Sequence, residues 1–547
     1  MLTKTPNEIC SDLWHKIPRN VKITFLAAFL VGLFTHMFVF TNVLLNHDGI
    51  WGLYLPDLGF GIFRGRGWFS HNVMAIRGIF TISWLIGLLS ILYISISSCL
   101  VVSLLRTKEH IYCILIASIM VTMPSVASAF TYMTGTDSHF FALLLACYAA
   151  FIAERYKYGF LFAVIPIVLA LAIYQIFFGV TAALMILVLI LELLRNQTPL
   201  LKTFFKGVRF LGTLVAGMVL YLLSVRIIIP EGILDSYQGM DNMGQIPMSD
   251  LPAMVSNAYS TIITYFTLDF RNFHYSFLST LFVFSFIACG ILIVLICVKK
   301  RIHQEPLKLL LMIVLLLLFP LGCNIIYLYG ADRAHDLMIY ATVFMFVLLL
   351  VIVDLYRSLD EESDTGKHSS KSKNKLSKKR IQEQRFNKIA SISSWIITIT
   401  VAISVFNYWI LSNQAYFKLN IEYQTTYAQS VLLISNIQRT PGYTYDKEIV
   451  LVGRPPYKFG IPELWYQPHG ITLTGAHVPL FGCDAYTLFL KRFLNFTQPV
   501  TYLQHGVYSI ADEGLVQFIM EMPVYPDDGS IVILDDAIIV NMAPPFG

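Results

Sequence analysis

The feature that most constrains the fold of this chain is a series of apolar runs that recur along its length. A helix needs about 20 apolar residues to cross the hydrocarbon core of a bilayer, and about eleven segments approach that length. Only 13% of the residues are charged, against about 25% in soluble domains. The sequence therefore predicts an all-α polytopic membrane protein. The predicted spans lie near residues 23–45, 79–105, 110–128, 138–153, 159–174, 176–194, 208–229, 277–298, 307–329, 336–356 and 391–411.

The distribution of basic residues predicts the orientation of these helices. Cytoplasmic connections of membrane proteins are enriched in Lys and Arg, and every second connection here is basic. This pattern places the N-terminus in the cytoplasm, ahead of a first helix that we interpret as uncleaved. An odd number of spans then places the C-terminal tail outside. The basic connections lie at 16–22, 106–108, 155–157, 195–209, 299–308 and 357–388.

Two regions are predicted. Residues 1–411 form a transmembrane module with long outer loops at 46–78 and 230–276 and a basic cytoplasmic loop at 357–388. Residues 412–547 form a small extracytoplasmic α/β domain, because strand-like runs at 448–452, 530–534 and 537–540 alternate with helical and turn-rich stretches. The tail and the 230–276 loop are long enough to reach a polymer, and we expect substrate specificity to reside there.

Several functional classes are disfavoured by what the sequence lacks. It contains no Gly-rich phosphate-binding loop and no spacing of His or Cys typical of a metal site. The net charge of +5 does not indicate a nucleic-acid partner, because the cations occupy short connections beside the membrane. Most of the eight cysteines lie in apolar segments, so no disulfide framework is predicted.

The first outer loop contains a candidate base and candidate phosphate ligands. Asp48 follows the first span, where a carboxylate is costly unless it is solvated or paired. It could act as a general base, or it could simply cap a short helix. Arg64 and Arg66 belong to the same loop, and guanidinium groups bind phosphate in bidentate fashion. The alternative is that they anchor the loop to lipid headgroups.

Further polar clusters mark the outer ends of later helices. Asp137 and His139 open the fourth span, where Asp137 could be a substrate ligand or a helix-capping acid. The pair Tyr174-Gln175 interrupts two apolar runs and could close a hairpin or bind a substrate hydroxyl. Arg333 lies in a short outer loop, where it could bind phosphate or pair with Asp332.

Taken in order, these motifs resemble those of the GT-C class of membrane glycosyltransferases. More narrowly, the chain resembles the phage-associated, serotype-converting O-antigen glucosyltransferases of the Gtr type. The similarity extends over nearly the whole chain. It departs from the family in the first loop, where Asp48 has His47 and Gly49 as neighbours instead of a second acid. The matching elements are Asn46-x-Asp48, 65–68, 132–138, Tyr174-Gln175, Arg333 and 413–438.

The resemblance implies that a hexose, such as glucose, is transferred from a polyprenyl-phosphate donor to a polysaccharide acceptor such as the O-antigen of lipopolysaccharide. It implies a bacterial inner membrane, a periplasmic site, and a flippase and a cytoplasmic donor synthase as partners alongside membrane lipids. No cofactor or metal is expected to be obligatory. The implied roles are Asp48 as the base of an inverting displacement, Arg64, Arg66 and Arg333 as phosphate ligands, and Asp137, His139, Tyr174 and Gln175 as positioning residues.

Three alternatives remain open at this point, one of which is a structural membrane scaffold that presents the tail to partners. A polysaccharide polymerase or ligase would use a diphosphate-linked donor, and the residues do not separate it from a single-sugar transferase. A lipid or saccharide transporter would perform no bond chemistry, and its polar residues are expected near the bilayer midplane. The candidates here lie at outer helix ends, which favours an enzyme.

Overall fold

The structure, a computed structural model, describes most of the chain and is predominantly helical. It describes residues 4–54, 67–230, 249–267, 277–329, 335–367, 377–454, 475–476, 480–503, 510 and 512–542. The helices of the membrane region are α1 (Pro6–Lys16), α2 (Arg19–Thr41), α3 (His47–Trp51), α4 (Ser70–Ala75), α5 (Ser83–Leu105), α6 (His110–Thr122), α7 (Pro124–Tyr132), α8 (Thr136–Arg155), α9 (Gly159–Phe162), α10 (Val164–Leu171), α11 (Phe178–Arg195), α12 (Leu200–Ile228), α13 (Leu251–Thr267), α14 (Phe277–Lys299), α15 (Pro306–Cys323), α16 (Val343–Lys367) and α17 (Ser377–Arg439).

Within these described ranges, ten helical segments are long and apolar enough to cross a membrane. The polytopic helical fold predicted from the sequence is therefore confirmed, while the predicted count of about eleven depends on the segment at 159–174. That segment consists of α9 and α10, which together cover only Gly159–Leu171. Pro166 lies in the first turn of α10, where its missing N–H is tolerated. A single continuous helix through this point would lose a backbone hydrogen bond.

Small residues allow the membrane helices to approach one another closely. A Cβ atom at Gly32 of α2 would lie 2.7 Å from Val121 and 2.8 Å from Ile91. Such positions are common where transmembrane helices pack, because lipid provides no hydrophobic drive for their association. A buried polar link adds to this packing: His36 bonds through Nδ1 to the Tyr416 hydroxyl (2.6 Å) and through Nε2 to the Val121 carbonyl (2.9 Å). It joins α2, α6 and α17.

The connections gather at the two ends of the bundle in the alternation predicted from the basic residues. At one end, the Asn20 amide donates to the carbonyl of Thr107 (2.9 Å), and the Asn196 amide donates to that of Lys300 (3.0 Å). At the other end, the Phe69 N–H donates to the carbonyl of Ala172 (2.8 Å). We call these the basic end and the outer end. The side of the membrane that each end faces remains a prediction.

The last membrane helix continues without interruption into the tail. α17 contains 63 residues, far more than the roughly 20 that a bilayer crossing requires. The predicted domain boundary at 411/412 lies inside it. The transmembrane module and the tail are therefore connected by a continuous helix instead of a flexible linker.

The tail contains the α/β unit that its sequence predicts. Its elements are β1 (Glu448–Val452), α18 (Tyr486–Phe493), β2 (Val500–Leu503), α19 (Glu513–Glu521), β3 (Ile531–Ile533) and β4 (Ala537–Asn541). The strand order is β2-β1-β4-β3, with β1 parallel to β2 and β4, and β3 antiparallel to β4. The three predicted strand-like runs correspond to β1, β3 and β4.

Candidate functional site

The short helix α3 is fixed at the outer end by its capping residue. The Asn46 side chain accepts a hydrogen bond from the Gly49 N–H (2.7 Å), and the backbone N–H of Asn46 donates to the Thr131 carbonyl (3.1 Å). A Cβ atom at Gly49 would lie 2.6 Å from the Tyr132 carbonyl oxygen, so only glycine permits this approach. The alternative that Asp48 caps this helix is wrong, because Asn46 occupies the capping position.

Asp48 is accessible and yet has a perturbed acidity. Its side chain is 53% exposed, and its Oδ1 lies 3.6 Å from His47 Nε2. Partial burial raises the pKa of the Asp48 carboxyl; His47 opposes this shift, and the neighbouring carboxylate of Asp484 adds to it. A carboxylate with a raised pKa is a stronger base than an ordinary aspartate, and it can still be reached by a substrate.

Asp137 lies in a buried ion pair at the start of α8. Its Oδ2 accepts a hydrogen bond from Arg77 Nε at 2.9 Å, and both side chains are nearly inaccessible. Arg77 also donates to the carbonyls of Phe80 (2.5 Å) and Thr134. The helix cap is Gly135, so Asp137 is a first-turn acid, not the N-cap.

Arg77 was not among the candidates predicted from the sequence. Arg77 lies in the predicted outer loop 46–78, together with Arg64 and Arg66, and arginines in an outer loop run against the usual enrichment of cations on the cytoplasmic side. That signal could have identified it as a residue with a specific partner. Its three contacts connect the first turn of α8 with the turn before that helix, through Thr134, and with the segment before α5, through Phe80. Arg77 therefore fixes the geometry of the outer end.

His139 and Tyr174 are in direct contact. Their rings are stacked, with centroids 4.4 Å apart and an interplanar angle of 19°. Gln175 is buried and donates to the Tyr221 hydroxyl at 2.7 Å. The predicted hairpin at this helix break is thus present, and it brings Tyr174 from the α10–α11 connection against the first turn of α8.

Some buried polar atoms at this end have no hydrogen-bond partner among the described residues. They include Ser83 Oγ at the start of α5, Asn324 Oδ1 just after α15 and four others, which are Asn46 Nδ2, His47 Nδ1, Asp137 Oδ1 and His139 Nδ1. Buried polar groups are normally paired, so an orphaned group indicates a place for water or a ligand. All four belong to α3, its cap or the first turn of α8, the same elements that carry Asp48 and Asp137.

The tail domain lies over α3. The Arg492 guanidinium donates to the carbonyls of Ile50 and Trp51 and lies 5.5 Å from the Tyr54 ring. Gly475 approaches Thr131 so closely that a Cβ atom there would overlap the threonine hydroxyl. Sequence reasoning missed this contact, because about 440 residues separate the partners along the chain and no local pattern connects them.

The structure brings five of the eight predicted site residues to the outer end. Asp48, Asp137, His139, Tyr174 and Gln175 all lie there, around the turn at 132–135. Arg64, Arg66 and Arg333 lie outside the described residues. Across the described part of the chain, no group of three or more His, Cys, Asp or Glu side chains could hold a metal ion.

The comparisons with known proteins identify one family. A family model described as glucosyl transferase GtrII matches residues 37–353, which is more than half of the chain. The matched region begins within α2, contains α3 and the Arg77–Asp137 pair, and ends within α16. No curated protein and no solved structure matches the chain.

Proposed function

Since the chain belongs to the GtrII family of glucosyl transferases, we propose that it moves a glucosyl group from a polyprenyl-phosphate donor to a surface polysaccharide. The acceptor is a polymer such as O-antigen, and the reaction takes place on the periplasmic face of a bacterial inner membrane. The family supports glycosyl transfer, and the apolar helices support a membrane location. The donor, the acceptor and the face are proposals.

The observation that carries the mechanism is the environment of Asp48. Its carboxyl is accessible at the outer end and has a pKa raised by partial burial. In the proposed step, Asp48 accepts the proton of an acceptor hydroxyl while that oxygen attacks the anomeric carbon of the donor. The bond from this carbon to the phosphate oxygen breaks, and the phosphate leaves with the electron pair. This single displacement inverts the anomeric centre.

The remaining predicted residues fit supporting roles in the same step. A phosphate leaving group is a stable anion and needs cations more than an acid, so we assign Arg64, Arg66 and Arg333 to it. The orphaned Oδ1 of Asp137 and Nδ1 of His139 are suited to sugar hydroxyls. Tyr174, stacked on His139, would position that imidazole, and Gln175 would stabilise the break that places Tyr174 there.

The proposed reaction also defines its partners. Because no nucleotide sugar is available outside the inner membrane, a cytoplasmic synthase must load the lipid carrier and a flippase must present it on the outer side. The protein itself needs no obligatory cofactor in this proposal. A polymerase or ligase using a diphosphate-linked donor is the alternative reaction on the same face.

The test is the surface polysaccharide of cells that contain the wild-type protein, Asp48→Asn, Asp528→Asn or no protein. Asp528 is an exposed acid of the tail and serves as the matched control. Removal of a group that acts in the transition state typically costs about 10²–10³-fold in rate. We expect a hexose branch with wild type and Asp528→Asn, and a loss of at least that size with Asp48→Asn at equal membrane level.

The possible outcomes separate the rival functions. An unbranched polymer whose chain length depends on the protein would identify a polymerase or ligase. A polysaccharide that is identical in all four strains, with donor and acceptor both supplied, would favour a transporter. A branch that persists in Asp48→Asn would leave glycosyl transfer standing but remove Asp48 as its base.

A further inference from the structure

A charged cavity lies at the basic end of the bundle, opposite the proposed catalytic site. It has a volume of about 210 Å³ and is enclosed by the ends of α5, α8 and α11 and the start of α12. Its lining includes four cations, Arg106, Arg195, Lys202 and Lys206, and two acids, Glu154 and Glu192. None of these residues has a role in the proposed transfer reaction.

Both acids of the cavity contact one of its lysines. Lys206 Nζ lies 3.0 Å from Glu154 Oε2 and 2.5 Å from Glu192 Oε2, so a single ammonium serves both carboxylates. Arg195 donates to the carbonyl of Leu105 (2.6 Å). Arg106 and Lys202 are exposed and form no ion pair with any described residue. Four cations against two acids leave a net charge of +2.

An apolar surface adjoins the cavity on α12. Leu201, Phe204, Phe205 and Val208 are all at least half exposed on the helix that carries Lys202 and Lys206. In a membrane protein, such a face contacts lipid chains. The cavity and this face together offer cations for a phosphate and an apolar track for acyl chains that extend from it.

We propose that this cavity binds the phosphate headgroup of an anionic phospholipid of the cytoplasmic leaflet. Basic pockets between transmembrane helices on the cytoplasmic side are suited to anionic headgroups, and the leaflet supplies such lipids at high local concentration. Arg106 and Lys202 contact the phosphate, and the positive charges of Arg195 and Lys206 attract it without direct contact. The acyl chains lie along α12. This inference rests on the predicted orientation and is independent of the transfer reaction.

The test uses the purified full-length protein in a neutral detergent. The midpoint of thermal unfolding is measured against increasing dioleoyl phosphatidylglycerol, dioleoyl phosphatidylcholine or inorganic phosphate. The variant is Arg106→Asn/Lys202→Gln; asparagine is chosen because Arg106 has a φ of 59°, a region that Asn tolerates. The matched control is Arg301→Asn/Lys300→Gln, which removes two cations at the same end of the bundle, one of them at a φ of 58°.

We expect phosphatidylglycerol to stabilise the wild type and the control at similar concentrations. Each cation near an anionic lipid contributes about 1 kcal/mol, which is roughly fivefold in binding. The double variant should therefore need roughly 25-fold more phosphatidylglycerol for half of its maximal shift. For each protein, the shift in the midpoint of thermal unfolding is calculated from the midpoint of that same protein without lipid. A variant that is less stable is therefore not mistaken for one that binds less lipid.

Three results would overturn the proposal. Equal stabilisation by the two lipids would show that charge is not recognised. An equal loss in the control pair would indicate a diffuse attraction instead of a cavity. Equal stabilisation by inorganic phosphate would identify a site for a free anion. As a second readout, native mass spectrometry should find phosphatidylglycerol retained by the wild type and the control but not by Arg106→Asn/Lys202→Gln.

Discussion

The outer end and the basic end of the bundle differ in how their buried polar groups are paired. At the basic end, the Asp354 carboxylate accepts hydrogen bonds from the N–H groups of Lys108 (3.0 and 3.1 Å) and Glu109 (2.8 Å). It thereby satisfies orphan donors at the start of α6. At the outer end, Asn46, His47, Asp137 and His139 each retain a buried polar atom that no described residue satisfies, whereas the basic end has two such atoms, Thr107 Oγ1 and Glu154 Oε2, the second of which lies 3.0 Å from Lys206 Nζ.

This difference distinguishes polar groups that stabilise the fold, which we call the scaffold, from polar groups that are available to a ligand, which we call the site. A paired buried group stabilises the fold, whereas a buried group held ready without a partner costs stability until a ligand supplies one. Functional sites commonly carry such a cost. The Asp354 contacts of the basic end therefore hold the helices together, and the outer end carries the groups that we propose to bind the sugar substrates. Separate measurements of stability and turnover should tell the two apart.

The largest effect is expected from the buried ion pair between Arg77 and Asp137 at the outer end. Arg77→Met removes the partner of Asp137 and leaves a buried carboxylate uncompensated, which typically costs about 3–5 kcal/mol. We expect a large drop in the apparent midpoint of thermal unfolding and in membrane level. Arg155→Met, which removes an exposed arginine at the opposite end of α8, is the control and should change stability by no more than about 0.5 kcal/mol.

A double variant sharpens the same comparison. Replacement of both partners by apolar residues, Arg77→Met/Asp137→Leu, should recover much of the stability, because no unpaired charge remains. If Asp137 positions a sugar hydroxyl, as proposed, the double variant is stable and slow. If the double variant is stable and has wild-type turnover, Asp137 has a structural role and does not position the substrate.

A smaller loss of stability, without a loss of turnover, is expected at the basic end. Asp354→Asn retains an acceptor but loses the charge that strengthens the bonds from the α6 N-terminus, which should cost about 1–2 kcal/mol. Turnover per folded molecule should not change. The control is Asp360→Asn on the same helix, because Asp360 is part of a more exposed pair with Lys299 at 3.1 Å and should contribute less than about 1 kcal/mol.

Thermal unfolding and initial rates of the two Asp variants would check this prediction. A fall in turnover for Asp354→Asn, with its unfolding midpoint unchanged, would contradict the division between scaffold and site. It would mean that the two ends are coupled through the helices.

The smallest effect concerns the pH dependence of transfer. The base must be deprotonated, and the pKa of Asp48 is raised by partial burial and by the Asp484 carboxylate. Activity is therefore lost as the pH falls through this raised pKa. Asp484→Asn removes a negative neighbour and lowers the pKa of Asp48, so the acidic limb should move to lower pH by less than about one unit.

The pH–rate profiles of wild type, Asp484→Asn and Asp528→Asn would measure this shift. His47 lies 3.6 Å from Asp48 in all three proteins, so its contribution cancels in the comparison. The prediction would be contradicted if the acidic limb of the pH–rate profile did not move in Asp484→Asn, or if it moved equally in Asp528→Asn. Either result would show that Asp484 does not specifically raise the pKa of Asp48.

Much of the fold could be predicted from the sequence, because the signal for each helix is local. Runs of apolar residues predict spans wherever they occur, and the strand-like runs of the tail predict β1, β3 and β4 in the same way. The segment at 159–174 shows the limit of this reasoning. Its hydropathy is that of a span, but the backbone breaks at Ala163 and again before Tyr174.

The site was predictable in part for the same reason. Asp48, Asp137 and His139 stand out because polar residues at helix ends are conspicuous beside apolar runs. Arg77 and Arg492 were missed, because neither the outer loop that contains Arg77 nor the tail helix α18 that contains Arg492 has a local pattern that identifies the partner. The raised pKa of Asp48 was equally hidden, since it depends on burial of the carboxyl and on Asp484, which the tail brings from far along the chain.

The sequence by itself determined that this chain is a membrane protein of many helices with a small α/β tail, because burial of apolar runs follows from composition and length. Only the tertiary structure decided which polar groups are paired and which are left open. Pairing depends on distances between residues that are remote in sequence, as in Arg77 with Asp137 and Arg492 with Ile50. Periodicity and hydropathy carry no information about those distances, and packing determines them.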